Sequence, residues 1–193
     1  MWTLTQAPVL VPAHRELPVS ASPHSEPLRV TKQCRLAFSG ERLHFMGAGA
    51  PVCYEAVSQA ICARDQMGYG HTYAGGLETR GLPAHQAPGP GCTCGFYAVK
   101  GGSGSPASWT IEAELYGRVI EHAAGWRAGR QRVLSLRAPT ACQNCGSRPP
   151  LFYLNLGGSG IFALCDYCGG PPPLLALSLE DIRAEMAPVE VTG

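Results

Sequence analysis

Charge is what this chain has least of. Only 15% of its 193 residues are charged, well below the usual quarter, and the formal net charge is +1. No field of the whole molecule therefore draws it onto DNA or an anionic membrane. Lysine is almost missing: Lys32 and Lys100 stand against thirteen arginines. No stretch approaches the roughly 18 apolar residues of a membrane span. The opening MWTLTQAPVLVP has no basic start and its apolar run is broken by Pro8 and Pro12, so it does not read as a leader. A cytoplasmic setting is expected, where cysteines seldom form disulfides, and the nine present must answer to metal, redox chemistry or burial.

Enzyme signatures are also missing. There is no H-E-x-x-H, G-x-S-x-G or G-x-x-x-x-G-K-[ST] in a usable setting. The zinc-deaminase order, H-x-E before P-C-x-x-C, fails because Pro139 is displaced from Cys142 and His122 is followed by two alanines. GGSGSP (101–106) lacks the lysine and following helix of a phosphate cradle, so it reads as a flexible turn. His44, His71 and His122 are isolated and read as surface or packing residues, and Glu112 and Glu114 as a solvated strand face.

Glycine (24) and proline (17) are plentiful, and 45% of residues are hydrophobic, a globular and loop-rich balance. Residues 1–33 carry five prolines and read as an arm. CRLAFSGERLHFM (34–46) alternates around Ser39-Gly40 as a hairpin would. In 51–65 the apolar residues at 53, 56, 57, 60 and 61 predict a helix. CGFYAVK (94–100) predicts a strand. WTIEAELYGRVIEH (109–122) predicts another, bulged at Gly117, with WRAGRQRVLSL (126–136) as its returning partner. The expected fold is α+β and β-rich: a small antiparallel sheet or barrel with a zinc site over 34–138, a zinc-ribbon hairpin over 139–173, and a C-terminal helix and tail over 174–193. Ser178 would cap that helix, with Glu180 and Asp181 in its first turn.

The strongest motif is CQNC (142–145) with CDYC (165–168), the spacing of a four-cysteine zinc site. Each C-x-x-C turn aims two sulfurs at one point. Gly146 and Gly169 follow the second cysteine of each pair, where a left-handed residue suits such a turn. LFYLNL and GIFALC flank Gly157-Gly158-Ser159 as a hairpin between the two turns, which is the layout of a zinc ribbon. Cys142, Cys145, Cys165 and Cys168 would close the site, leaving no position for water.

A second set is Cys92-Thr93-Cys94 with His85. Residues two apart on a strand share a face, so both sulfurs can meet one ion. Cys62 is the candidate fourth ligand and Cys53 the next, while Cys34 reads as core. Two zinc ions are thus expected. The run from Cys62 through His85 to Cys92-Thr-Cys94-Gly-Phe-Tyr-Ala, continued by IEAELYGRVIEHAAGWRAGRQRVLSL, resembles a family of small uncharacterised proteins of actinobacteria and their phages. Its members share a cysteine, a histidine, C-x-C-G-[FI]-[YH]-A, a valine-rich strand and G-[YW]-R-A. The resemblance covers about residues 34–137 and implies metal ligands at Cys62, His85, Cys92 and Cys94. It implies no activity, and the ribbon lies outside it.

Six arginines (118, 127, 130, 132, 137 and 148) fall within 117–148 against Glu121 alone, whereas 166–193 holds five acids against Arg183. Arg118, Arg127, Arg130, Arg132 and Arg137, with Trp126 nearby, suggest a contact surface for a nucleic acid or an acidic protein, with no small-molecule substrate. Pairing with the chain's own acidic segment 166–193, or a plain solvated face, is the alternative. The function expected is a non-catalytic, zinc-stabilised binding or adaptor protein. The rival is a zinc-dependent hydrolase whose first site keeps only three protein ligands.

Overall fold

A computed structural model describes residues 26–47, 53–60, 86–89, 94–102 and 104–193. Cys62, His85 and Cys92 lie outside them. Ten strands run in the order β1 (Leu28–Ser39), β2 (Arg42–Gly47), β3 (Cys53–Tyr54), β4 (Val57–Gln59), β5 (Phe96–Val99), β6 (Trp109–His122), β7 (Gly125–Arg137), β8 (Phe152–Asn155), β9 (Ile161–Leu164) and β10 (Glu190–Thr192). Two helices, α1 (Asp166–Gly169) and α2 (Leu179–Met186), complete the described part. The class is α+β and strand-rich, as expected. Among the described residues no helix is long and apolar enough to cross a membrane.

Eight strands form one sheet, whose ladder passes from β3 through β2, β1 and β6 to β7. The far edge of β7 is tiled end to end by three short strands. β5 pairs antiparallel with 125–128, β4 antiparallel with 130–132, and β10 parallel with 135–137. Only Glu55 and Ala56 separate β3 from β4, so the chain crosses from one margin of the sheet to the other within about 11 Å. The sheet must therefore curl strongly, although no continuous ladder closes it.

The alternation of Ile111, Ala113 and Leu115 places all three fully inside, with Trp109 at the head of the same row. The expected irregularity at Gly117 is present: the β6–β7 register shifts between Tyr116 and Val119, and Gly117 sits at φ 76°. β1 begins at Leu28, so residues 28–33, read as part of the arm, belong to the sheet and pair with β6.

The helix expected over 51–65 is overturned in its described part, 53–60, which holds β3 and β4 instead. These eight residues, with apolar positions only at 53, 54, 56, 57 and 60, carry a weak period, and the edge of β7 offers backbone partners that decide the outcome. Ala60 N–H donates to Gly129 O at 2.8 Å and Val133 N–H to Ala56 O at 2.7 Å. Val57, which the helix would have buried, is 61% exposed.

The hairpin β8–β9 and helix α2 pack onto the sheet, because Tyr153, Ile161, Ala163, Ile182 and Met186 join the same apolar cluster as Trp109 and Leu36. Trp109 fastens the hairpin. Its Nε1–H donates to Ile161 O at 3.0 Å, and its ring lies 5.3 Å from that of Tyr153. Ser178 caps α2 as expected: its hydroxyl accepts from Asp181 N–H at 3.1 Å, and the Asp181 carboxylate accepts from Ser178 N–H at 2.7 Å. The Ser178 hydroxyl, which also donates to that carboxylate at 2.7 Å, and the Ser178 N–H hold the Asp181 carboxyl below its ordinary range.

Candidate metal centre

Both cysteine turns hang on the β8–β9 hairpin. Cys142 N–H donates to Arg148 O at 2.7 Å, and Gly146 N–H closes the first turn on Cys142 O at 2.8 Å with Gly146 at φ 67°. Cys165 caps α1, and Gly169 N–H returns to Cys165 O at 2.9 Å. Gln143 ties the two turns together, its N–H donating to Ala163 O at 2.9 Å and its side-chain oxygen accepting from Ala163 N–H at 2.8 Å. The role expected of Gly169 falls to its neighbour: Gly169 is helical, and Gly170 carries the positive φ of 69°. A Cβ at 169 would stand 2.4 Å from the Phe152 ring, so glycine there is demanded by close packing instead.

The result brings the ligand atoms of Cys142, Cys145, Cys165 and Cys168 within 4.8 Å of one another. The Cys145 and Cys165 sulfurs are 3.8 Å apart. A tetrahedron with metal–sulfur arms of about 2.3 Å has edges of about 3.8 Å, so the set fits a four-coordinate ion and can hold a metal. Cys142 and Cys165 are buried, while Cys145 is exposed and Cys168 half-buried.

The electrostatics point the same way. The Ser147 hydroxyl and N–H bring the Cys145 thiol down to about 6. Burial pushes Cys142 up, but the N–H groups of Cys145, Cys165 and Asn144 outweigh it and leave it lowered. The Asn144 side chain pulls Cys168 down, yet burial and the neighbouring sulfurs carry it up to about 12. Four sulfurs this close resist simultaneous ionisation, and a bound cation removes that resistance. Arg148 is engaged beside the site, 3.3 Å from the Asp166 carboxylate and 5.2 Å from the Tyr167 ring centroid.

Of the second set, Cys94 alone is described. It accepts from Gly89 N–H at 3.3 Å. Cys53 is placed in β3, next to β2. Cys34 is buried among Leu36, Phe45 and Trp109, as expected of core, and burial pushes its thiol up to about 12.

The arginine surface is smaller than its count. Arg127 is only 3% exposed: β5 crosses that end of β7, so its guanidinium lies 5.8 Å from the Tyr97 ring centroid and Nη1 donates to Gly89 O at 3.5 Å. Arg132 is exposed but committed, its Nε donating to Glu114 Oε2 at 3.0 Å and its Nη2 closer still. Glu114 is correspondingly not a solvated residue. It is 7% exposed and also faces Arg29 at 3.7 Å. Trp126 is half-buried, with Lys100 Nζ 5.5 Å from its ring centroid. Arg118, Arg130 and Arg137 remain, and among the described residues no acid pairs with them. Arg118 and Arg130 line one cleft with Gln59 and Gln86, two residues that no motif in the sequence singles out.

Comparison of the chain with models of known protein families, with curated proteins and with solved structures gives no match.

Proposed function

We propose that the protein is a non-catalytic nucleic-acid-binding module of the cytoplasm, in which a zinc ion held by Cys142, Cys145, Cys165 and Cys168 stiffens the ribbon. Four thiolates at tetrahedral spacing suit zinc and leave no open position for a water nucleophile. The contact surface lies on the β6–β7 hairpin at Arg118, Arg130 and Arg137, with Tyr116 directly across from Arg130 as a stacking face. The observation that carries the reading is the pair Arg118 and Arg130, two guanidiniums brought to one cleft with no acid partner among the described residues.

The test is fluorescence anisotropy of labelled single-stranded and duplex oligonucleotides with the metal-loaded protein. Three phosphate contacts on a single strand give a log–log salt slope of about −2, so affinity should fall about twentyfold between about 50 and 200 mM salt. A slope near zero, or binding to neither probe, refutes the reading.

A further inference from the structure

We propose that the cleft between Arg118 and Arg130 is a phosphate-binding site that seats one phosphate group of the strand, an inference that deepens the reading above. The β6 bulge creates it. Between Tyr116 and Val119 the ladder with β7 is interrupted, so Gly117 and Arg118 are not paired and Arg118 can turn towards Arg130. Gly117 holds φ 76°, and the stem of Arg130 lies 3.6 to 3.9 Å from where a Cβ at 117 would stand, so the two arginines share the bulge as their floor. From the other edge of β7, β4 sets Gln59 opposite Arg130, and the segment 86–89 brings Gln86 to the same opening. The cleft encloses about 270 Å³, enough for a phosphate with part of its sugar.

The charge of the lining is one-sided. Each guanidinium offers five N–H donors and no acceptor, and each glutamine amide adds two donors beside one acceptor oxygen. No carboxylate lines the cleft. Two like charges converging without a counter-ion repel each other, and an anion between them reverses that term. A carboxylate is satisfied by one bidentate arginine, whereas two arginines and two glutamines lining one cleft carry donors enough for a tetrahedral oxyanion.

The experiment follows backbone amides by NMR while inorganic phosphate is added, and repeats the oligonucleotide titration with the double variant Arg118→Gln/Arg130→Gln. Arg42→Gln, at an exposed arginine at the far end of the β1–β2 hairpin, is the control for removing positive charge away from the cleft. The proposal expects phosphate to shift Gln59, Gly117 and Gly129, and the double variant to lose those shifts. It also expects the variant to bind the oligonucleotide on the order of tenfold more weakly, with the salt slope reduced by about 0.7, one phosphate's share. Oligonucleotide binding unchanged in the double variant, with phosphate shifts elsewhere or none, overturns the cleft and leaves the nucleic-acid reading standing. Phosphate shifts at the cleft without oligonucleotide binding keep the site, assign it to small phosphorylated molecules and refute the nucleic-acid reading. Neither response refutes both.

Discussion

Replacing Trp109 by Phe should weaken the whole protein much more while the metal is bound than after its removal. The indole is fully buried and donates to Ile161 O at 3.0 Å, so it links the innermost strand of the sheet to the ribbon. Phe removes the donor and leaves the Ile161 carbonyl buried without it, a cost of about 1–3 kcal/mol. The smaller ring also leaves a void beside Tyr153, costing about 1–2 kcal/mol. The metal-loaded variant should lose about 2–5 kcal/mol in a urea titration followed by far-ultraviolet circular dichroism, or about 4–20 °C in Tm. The β8–β9 hairpin has only four residues per strand, and hairpins of that size do not hold without support. Chelation should therefore release it from Trp109, and the same substitution should then cost under about 1 kcal/mol. Coupling is reciprocal, so Trp109→Phe should also weaken metal affinity, by about 10- to 100-fold in competition with a chromophoric chelator. Equal penalties with and without metal would show that Trp109 acts within the sheet alone, and the docking argument would be wrong.

Two further outcomes are expected. Cys142→Ser should lose the ribbon's metal by elemental analysis, whereas Cys34→Ser, buried in the apolar cluster, should keep the wild-type metal content. Retention of that metal by Cys142→Ser refutes the four-thiolate site. Lys32 should impose a pH dependence. Its amine reaches Gln131 Oε1 at 2.7 Å beside Cys34 and the rings of Tyr54 and Phe96, and burial lowers it to about 8 although Cys34 acts the other way. An unfolded lysine keeps its proton to about 10.4, so between about 8 and 10 the unfolded chain binds more protons and this group's contribution to stability rises with pH. Burial raises Cys34 and Tyr54, which act in the opposite sense above about 9, so the comparison must be with Lys32→Met. Wild type should gain about 1–2 kcal/mol on the variant between about pH 7.5 and 10, and a constant difference would refute the assignment.

The parts of this fold legible in the sequence are those set by local spacing. β6 and β7 run for fourteen and thirteen residues, long enough for alternation and the Gly117 bulge to declare themselves. The two C-x-x-C pairs close their own turns by backbone hydrogen bonds within five residues, and Ser178 with Asp181 is a capping box readable from two letters. What failed was set by remote neighbours. β4 and β10 are three residues each and exist because β7 offers an edge, in one case antiparallel and in the other parallel. No window on 57–59 or 190–192 carries that information. Glycine at 169 was read correctly as a requirement and for the wrong reason, since the Phe152 ring that demands it lies seventeen residues away.

The arginines show most clearly why composition overstates a surface. Arg127, Arg130 and Arg132 lie within six residues of one strand, yet each meets a different neighbour along the edges of β7. Where β5 crosses, Arg127 is covered and spends its guanidinium on Tyr97 and Gly89. Across the β6 ladder Arg132 meets Glu114 in direct register and is neutralised. Arg130 meets Tyr116, which offers no charge, and the bulge next to it releases Arg118 to the same place. The free charge of the hairpin is therefore selected by register. A two-residue slip of β7 against β6 would set Arg130 opposite Glu114 in place of Arg132. The bulge is the element that prevents that slip, because it pins Val119 to Ala128 and Tyr116 to Arg130 at the same time.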